Sequence, residues 1–124
     1  MDMSFLIKGI DHVQVAAPEG SEEAARLFYG EQLGLPEMDK PEALKRNGGV
    51  WFQCGMHELH IGVEATFTSA RKAHPAIEVE EIEALMEHLE NVHISYRVDE
   101  SIPGVKRIYV HDPFDNRLEF IQRN

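Results

Sequence analysis

What most limits the fold of this chain is an order of elements that occurs twice. In the first half, "GIDHVQVAA" alternates Val13, Val15 and Ala17 with His12 and Gln14, the period-2 pattern of a strand with one polar face. The stretch "EGSEEAARLFYGEQLGL" then offers Ser21 as an N-cap, Glu22 and Glu23 in a first turn, Ala24, Leu27 and Phe28 at helical spacing, and Gly34 as a stop. A short extended piece at residues 35–39 and a loop ending in Gly48-Gly49 lead to "VWFQC" and "HELHIGV", which read as a hairpin. The second half runs the same way. "HPAIEV" is a strand, "EEIEALMEHLENV" a helix with Ile82, Leu85, Met86 and Leu89 on one stripe, and "HISYRV", "VKRIYV" and "RLEFIQ" are three strands parted by turns at Pro103-Gly104 and "DPFDN". A strand, a helix and three strands, repeated, predict an α+β fold of two βαβββ modules in tandem. Module one spans about residues 8–63, the connector "EATFTSARK" 64–72 and module two 73–122, within one domain over residues 1–124.

Equivalent strands should then present equivalent faces. In the last strand of the first half, Leu59, Ile61 and Val63 form an apolar face with Glu58 and His60 opposite; in the last strand of the second half, Leu118 and Phe120 are apolar with Arg117 and Glu119 opposite. His60 and Glu119 are counterparts, and His12 and His74 both lie early in the first strand of their half. The tetrapeptide "HELH" resembles the helical zinc signature H-E-x-x-H, but on a strand His57 and His60 point to opposite faces and cannot chelate together. Only His60 shares a face with the other candidates. Three imidazoles and a carboxylate at paired positions suit a first-row divalent metal and leave room for water or substrate.

Composition narrows the function from the other side. Twelve basic against twenty-two acidic residues leave a net charge of −10, which repels nucleic acid and anionic membrane and means that any anion must be held locally. The single cysteine, Cys54, permits no intramolecular disulfide, and no signal peptide or membrane span is evident, so a soluble, cytoplasmic protein is expected. Cys54 alternates with Phe52 on the apolar side, as a buried inert thiol would. His57, His88, His93 and His111 read as structural or solvated.

The stretches "IDHVQV", "RLFYGEQLGL", "LHIGVE", "HPAIEV" and "DPFDNRLEFIQ" together resemble the vicinal oxygen chelate superfamily, which comprises glyoxalases, fosfomycin- and bleomycin-resistance proteins and extradiol dioxygenases. The resemblance runs from about Ile10 to Gln122, and its most specific parts are F-Y-x-x-x-L-G-L and D-P-x-x-N-x-L-E-F. It implies a mixed, curved sheet around a metal-containing cavity, often completed by a homodimer. By position, the metal ligands implied by glyoxalase I-like members are His12, His60, His74 and Glu119. Members like the fosfomycin-resistance transferases imply His12, His74 and Glu119 alone. Two residues depart from the family pattern: Asp115 replaces a glycine in the D-P-x-G-N turn, where Asp tolerates the left-handed conformation, and His60 replaces a carboxylate, which leaves the ligand set with one negative charge and the metal a stronger Lewis acid.

Trp51, Gln53, Arg107 and Tyr109 share the parity of the cavity face, Trp51 as an apolar wall or as ordinary core packing, and Tyr109 and Arg107 to orient a substrate oxygen or carboxylate. Glu58 and Glu78 are candidates to fix an imidazole tautomer, or are solvated surface acids. The leading expectation is a lyase- or isomerase-type enzyme using nickel, zinc, cobalt, manganese or iron. It would chelate a small oxygenated substrate and stabilise an enediolate or oxyanion, with Glu119 or a metal-bound hydroxide as base and Tyr109 as donor to that oxyanion. The alternatives are a metal-free ligand-binding protein of the bleomycin-resistance type and an iron(II) dioxygenase with two histidines and one carboxylate.

Overall fold

The computed structural model describes residues 4–124. Strand β1 (His12–Pro18) leads to helix α1, regular over Glu22–Ala25 and continuing in wider π turns over Arg26–Gln32. There follow β2 (Glu37–Met38), the short helix α2 (Glu42–Lys45), β3 (Val50–Cys54) and β4 (His57–Glu64). The second module consists of β5 (Ala76–Glu78), α3 (Ile82–Asn91), β6 (Arg97–Asp99), β7 (Val105–His111) and β8 (Arg117–Arg123). Each module is a four-stranded mixed sheet, in the order β1-β4-β3-β2 and β5-β8-β7-β6. In each, the first and last strands of the module run parallel side by side and the other pairs are antiparallel. The tandem βαβββ repeat is thus a repeat of topology as well as of order.

Register makes the repeat exact enough to compare residues. Gln14 pairs with His60 and Ala76 with Glu119, so His60 and Glu119 are equivalent positions, and His12 and His74 each lie two residues before the paired one. The apolar faces pack on the helices: Phe52, Leu59 and Ile61 with Phe28 and Tyr29 in the first module, and Ile108, Leu118 and Phe120 with Ile82 and Leu89 in the second, within one buried cluster. Burial of each such side chain stabilises by about 1.5–3 kcal/mol.

The first helix differs from its expected form. Ser21 caps no N–H; its hydroxyl donates to the Pro18 carbonyl at 2.5 Å. Leu27 is 50% exposed, whereas the neighbouring Phe28 and Tyr29 are buried. Tyr29 wins the interior position because its hydroxyl finds a buried partner, donating to Asp112 Oδ2 at 2.6 Å. Asp112 sits in the "DPFDN" turn, where its other oxygen accepts the N–H groups of Phe114 and Asn116 at 2.9 and 2.8 Å. Asn116 in turn donates to the Ala16 carbonyl of β1 at 2.7 Å. A turn of module two is thereby tied to the helix and first strand of module one. Asp115 takes up φ 69° in that turn, the left-handed conformation expected of it.

Gly49 (φ +86°) is needed for a different reason. A Cβ there would lie 2.3 Å from the Ile61 carbonyl oxygen, so no other residue lets β3 enter the sheet at this point. Its N–H donates to Glu22 Oε2 at 2.8 Å, which holds that carboxyl below the usual carboxylate range. No helix among the described residues is long and apolar enough to cross a membrane.

Candidate metal centre

The four candidate ligands fall into two pairs, one on the polar face of each sheet. On the first, the alternation of β1, β4 and β3 brings His12, His60 and Trp51 to one face, and their rings form a stack. The His12 and His60 centroids are 4.3 Å apart at 20°, and those of His60 and Trp51 3.9 Å apart at 4°. His60 is buried between its two neighbours, and its Nε2 lies 2.9 Å from Glu58 Oε1. His12 is more exposed, with Nδ1 2.9 Å from Asp11 Oδ1. Trp51 thus lies on the same face as His60 and packs flat against its ring. Gln53 shares the face, but its amide donates to the carbonyls of Gly55 at 2.7 Å and His57 at 3.0 Å, bracing the β3–β4 turn. His57 is exposed on the other side of the strand.

On the second sheet, His74 Nε2 lies 2.9 Å from Glu119 Oε1, and Glu119 is buried. His74 Nδ1 is 2.7 Å from the Lys72 carbonyl, which can only accept, so a proton is fixed on Nδ1 and Nε2 is turned to the carboxylate. A nitrogen lone pair and a carboxylate oxygen at that separation need a cation or a proton between them. This is the arrangement in which a histidine is oriented for a metal by its other ring nitrogen. Glu119 Oε2 accepts from Arg107 at 3.5 Å, and Arg107 also donates to Asp99 at 3.0 Å. Hydrogen bonds from Ser101 to Asp99 hold that carboxyl below the usual carboxylate range, so it remains an anionic anchor for Arg107.

Tyr109 lies edge-on to His74 with centroids 5.7 Å apart. Its ring is surrounded by guanidiniums, with the Arg97, Arg107 and Arg117 carbons 5.2, 5.7 and 4.1 Å from its centre. Arg97 and Arg117 were absent from the sequence-based site. Parity was the signal that could have found them, since Arg97 pairs with Tyr109 across the strands and Arg117 lies two residues before Glu119.

As donors the residues suit a first-row divalent ion in chemical type. In number they suit it as two halves: each pair offers two donors, and no three His, Cys, Asp or Glu gather closely enough to hold an ion among the described residues. A cleft of about 260 Å³ opens beside Trp51, lined also by Gln14, Lys40 and Asn47. A larger apolar cleft of about 660 Å³ lies between the sheets, where Ile10, Val13, Leu35, Ile77, Val79 and Phe120 meet. Cys54 lines this second cleft and burial raises its thiol, as expected of an inert cysteine.

No family model matches the chain, and no curated protein sequence does. Among solved structures, a glyoxalase family protein from Bacillus anthracis is 52% identical, with 98% of this chain and 100% of that one covered and a TM-score of 0.96. Lactoylglutathione lyase from Agrobacterium tumefaciens is 20% identical over 94% of each chain, with a TM-score of 0.74. The fosfomycin resistance protein FosX from Listeria monocytogenes, seen as an E126Q mutant with Mn(II) and a dihydroxypropylphosphonic acid, is 14% identical, covers 96% of this chain and 95% of that one, and has a TM-score of 0.77. At these lower identities the likeness is one of fold.

Proposed function

The chain belongs to the glyoxalase family of the vicinal oxygen chelate superfamily, and on that premise we propose that it is a divalent-metal-dependent enzyme of lyase or isomerase type acting on a small oxygenated substrate. The observation that carries this reading is the His74–Glu119 pair. Its Nδ1 proton is fixed by a carbonyl and its Nε2 faces a buried carboxylate across 2.9 Å. His12 and His60 occupy the equivalent positions of the other sheet. We assign His12, His60, His74 and Glu119 as ligands of one ion, with the two pairs contributed by two copies of the chain in a homodimer.

Support for the dimer comes from what a single copy leaves uncovered. Strands β1 and β5 are sheet edges, and Phe5, Leu6, Ile7 and Ile10 are 65–84% exposed. Unpaired edges and contiguous apolar surface are features that a second copy would cover.

A bound divalent ion would supply Lewis acidity toward a substrate oxygen. The chain's own groups would do the rest. Glu119 accepts a proton from the substrate, with Arg107 fixing its second oxygen. Tyr109, whose ring touches both His74 and the arginines, donates its hydroxyl to the oxygen on which charge develops. Trp51 holds the His60 ring in its plane and gives the substrate an apolar wall. The single cysteine and absence of disulfides suit a reducing cytoplasm.

Purified protein dialysed against nickel, cobalt, zinc or manganese should retain about one ion per chain, and His74→Ala should retain none. Retention of none of the four by the wild type contradicts the proposal and favours a metal-free binding protein. Oxygen uptake with iron(II) and a catechol favours the dioxygenase alternative instead.

A further inference from the structure

In a chain of net charge −10, positive charge is concentrated at one point. Arg97, Arg107 and Arg117 come from three strands, and register puts all three on the face that carries Tyr109 and Glu119. Their guanidinium carbons lie within 5.7 Å of one ring centre. The negative face of the aromatic ring attracts each of them and offsets part of their mutual repulsion, and an anion placed among them would offset the rest. The carboxylates at hand, Asp99 and Glu119, both go to Arg107. Among the described residues, Arg97 and Arg117 have no acidic partner, and Arg107 Nε is buried without any partner at all. Arg97 is exposed and Arg117 half-buried, so both are open to an incoming group, and the buried, unpartnered Arg107 Nε between them marks a place where another group belongs.

We propose that Arg97, Arg107 and Arg117 form, over the Tyr109 ring, a cradle for an oxyanion of the substrate, either a carboxylate or a phosphoryl group. Guanidinium forks match both anions through paired N–H donors, which ammonium groups do not. Asp99 and Ser101 fix the Arg107 fork, with contacts of 3.0 and 3.3 Å. Glu119 repels an anion on its own side of the ring, so the anionic end of the substrate lies toward Arg97 and Arg117 and its neutral oxygens toward His74. This inference rests on the reading of this face as the substrate side of the proposed site. It narrows the substrate class to small, oxygen-rich molecules with one anionic end.

The test is calorimetric titration of the full chain with inorganic phosphate and with acetate at fixed low ionic strength, before and after chelator treatment. Wild type, Arg97→Gln and Arg117→Gln are compared, with circular dichroism and metal content measured in parallel. Saturable binding of at least one anion is expected, weakened about tenfold in each variant while fold and metal content are unchanged. Preference for phosphate identifies a phosphoryl substrate, and preference for acetate a carboxylate. Absence of saturable binding by the wild type, or equal affinity in the variants, overturns the cradle, and metal retained in that sample leaves the metal proposal standing. Arginine-dependent anion binding without metal uptake supports the cradle and overturns the metal proposal.

Discussion

Tyr29 and Asp112 are eighty-three residues apart in sequence and share a buried hydrogen bond of 2.6 Å. Burial, then the Asp112 charge, pushes the Tyr29 phenol well above its ordinary range, so it stays a neutral donor at every working pH. Tyr29→Phe keeps the ring and removes the donor, leaving a buried carboxylate one partner short. We expect a loss of about 1.5–3 kcal/mol in urea unfolding, with the m-value unchanged; a loss below about 0.5 kcal/mol would mean the bond adds nothing to the Asn116 contacts. Glu22 offers a pH-dependent counterpart. Its carboxyl is held low mainly by the Gly49 N–H, so its contribution is present above the pKa of the unfolded chain and fades as pH falls through the lowered folded value. Glu22→Gln should be less stable than wild type at pH 7, and the gap should close below the ordinary carboxylate range. A gap that persists in acid would assign the effect to packing instead. Neither residue's role was legible in sequence, where Glu22 is a first-turn acid and Tyr29 the neighbour of Phe28. Long-range polar pairs leave no periodic trace.

At the scale of elements, period and parity carried most of what could be known. The strand alternation sorted Leu59 and Ile61 from His60, and Leu118 and Phe120 from Glu119, because a strand has only two faces and one is taken by the helix. The same logic turned "HELH" from a local signature into one strand position, and His57 does lie exposed away from His60. Parity tells which face a side chain takes but not what its end group does there. Gln53 therefore looked like a substrate contact, whereas its amide braces a turn. It also depends on where a strand begins: "HISYRV" reads as a strand from residue 93, whereas β6 covers only Arg97–Asp99, and Arg97 went unremarked. The π turns over Arg26–Gln32 had no sequence signature, since their register follows from burying Phe28 and Tyr29 together.

For the whole molecule, a tandem repeat with matching register places the two candidate pairs at equivalent positions and leaves two equivalent edges, β1 and β5. Sequence nominated the candidate donors, because each stands at the same place in its module. It said nothing of the distance between the modules' faces, which depends on how turns such as "DPFDN" lock against β1. Mixing two inactive forms isolates the central proposal that the pairs meet between copies. One form carries His12→Ala with His60→Ala, the other His74→Ala with Glu119→Ala, and neither should bind metal alone. If one ion is shared by pairs from different copies, unfolding and refolding the two together should restore about a quarter of the wild-type metal content, because half of the random dimers are mixed and each has one intact site. A site built within one chain would recover nothing on mixing, and that result would contradict the shared centre.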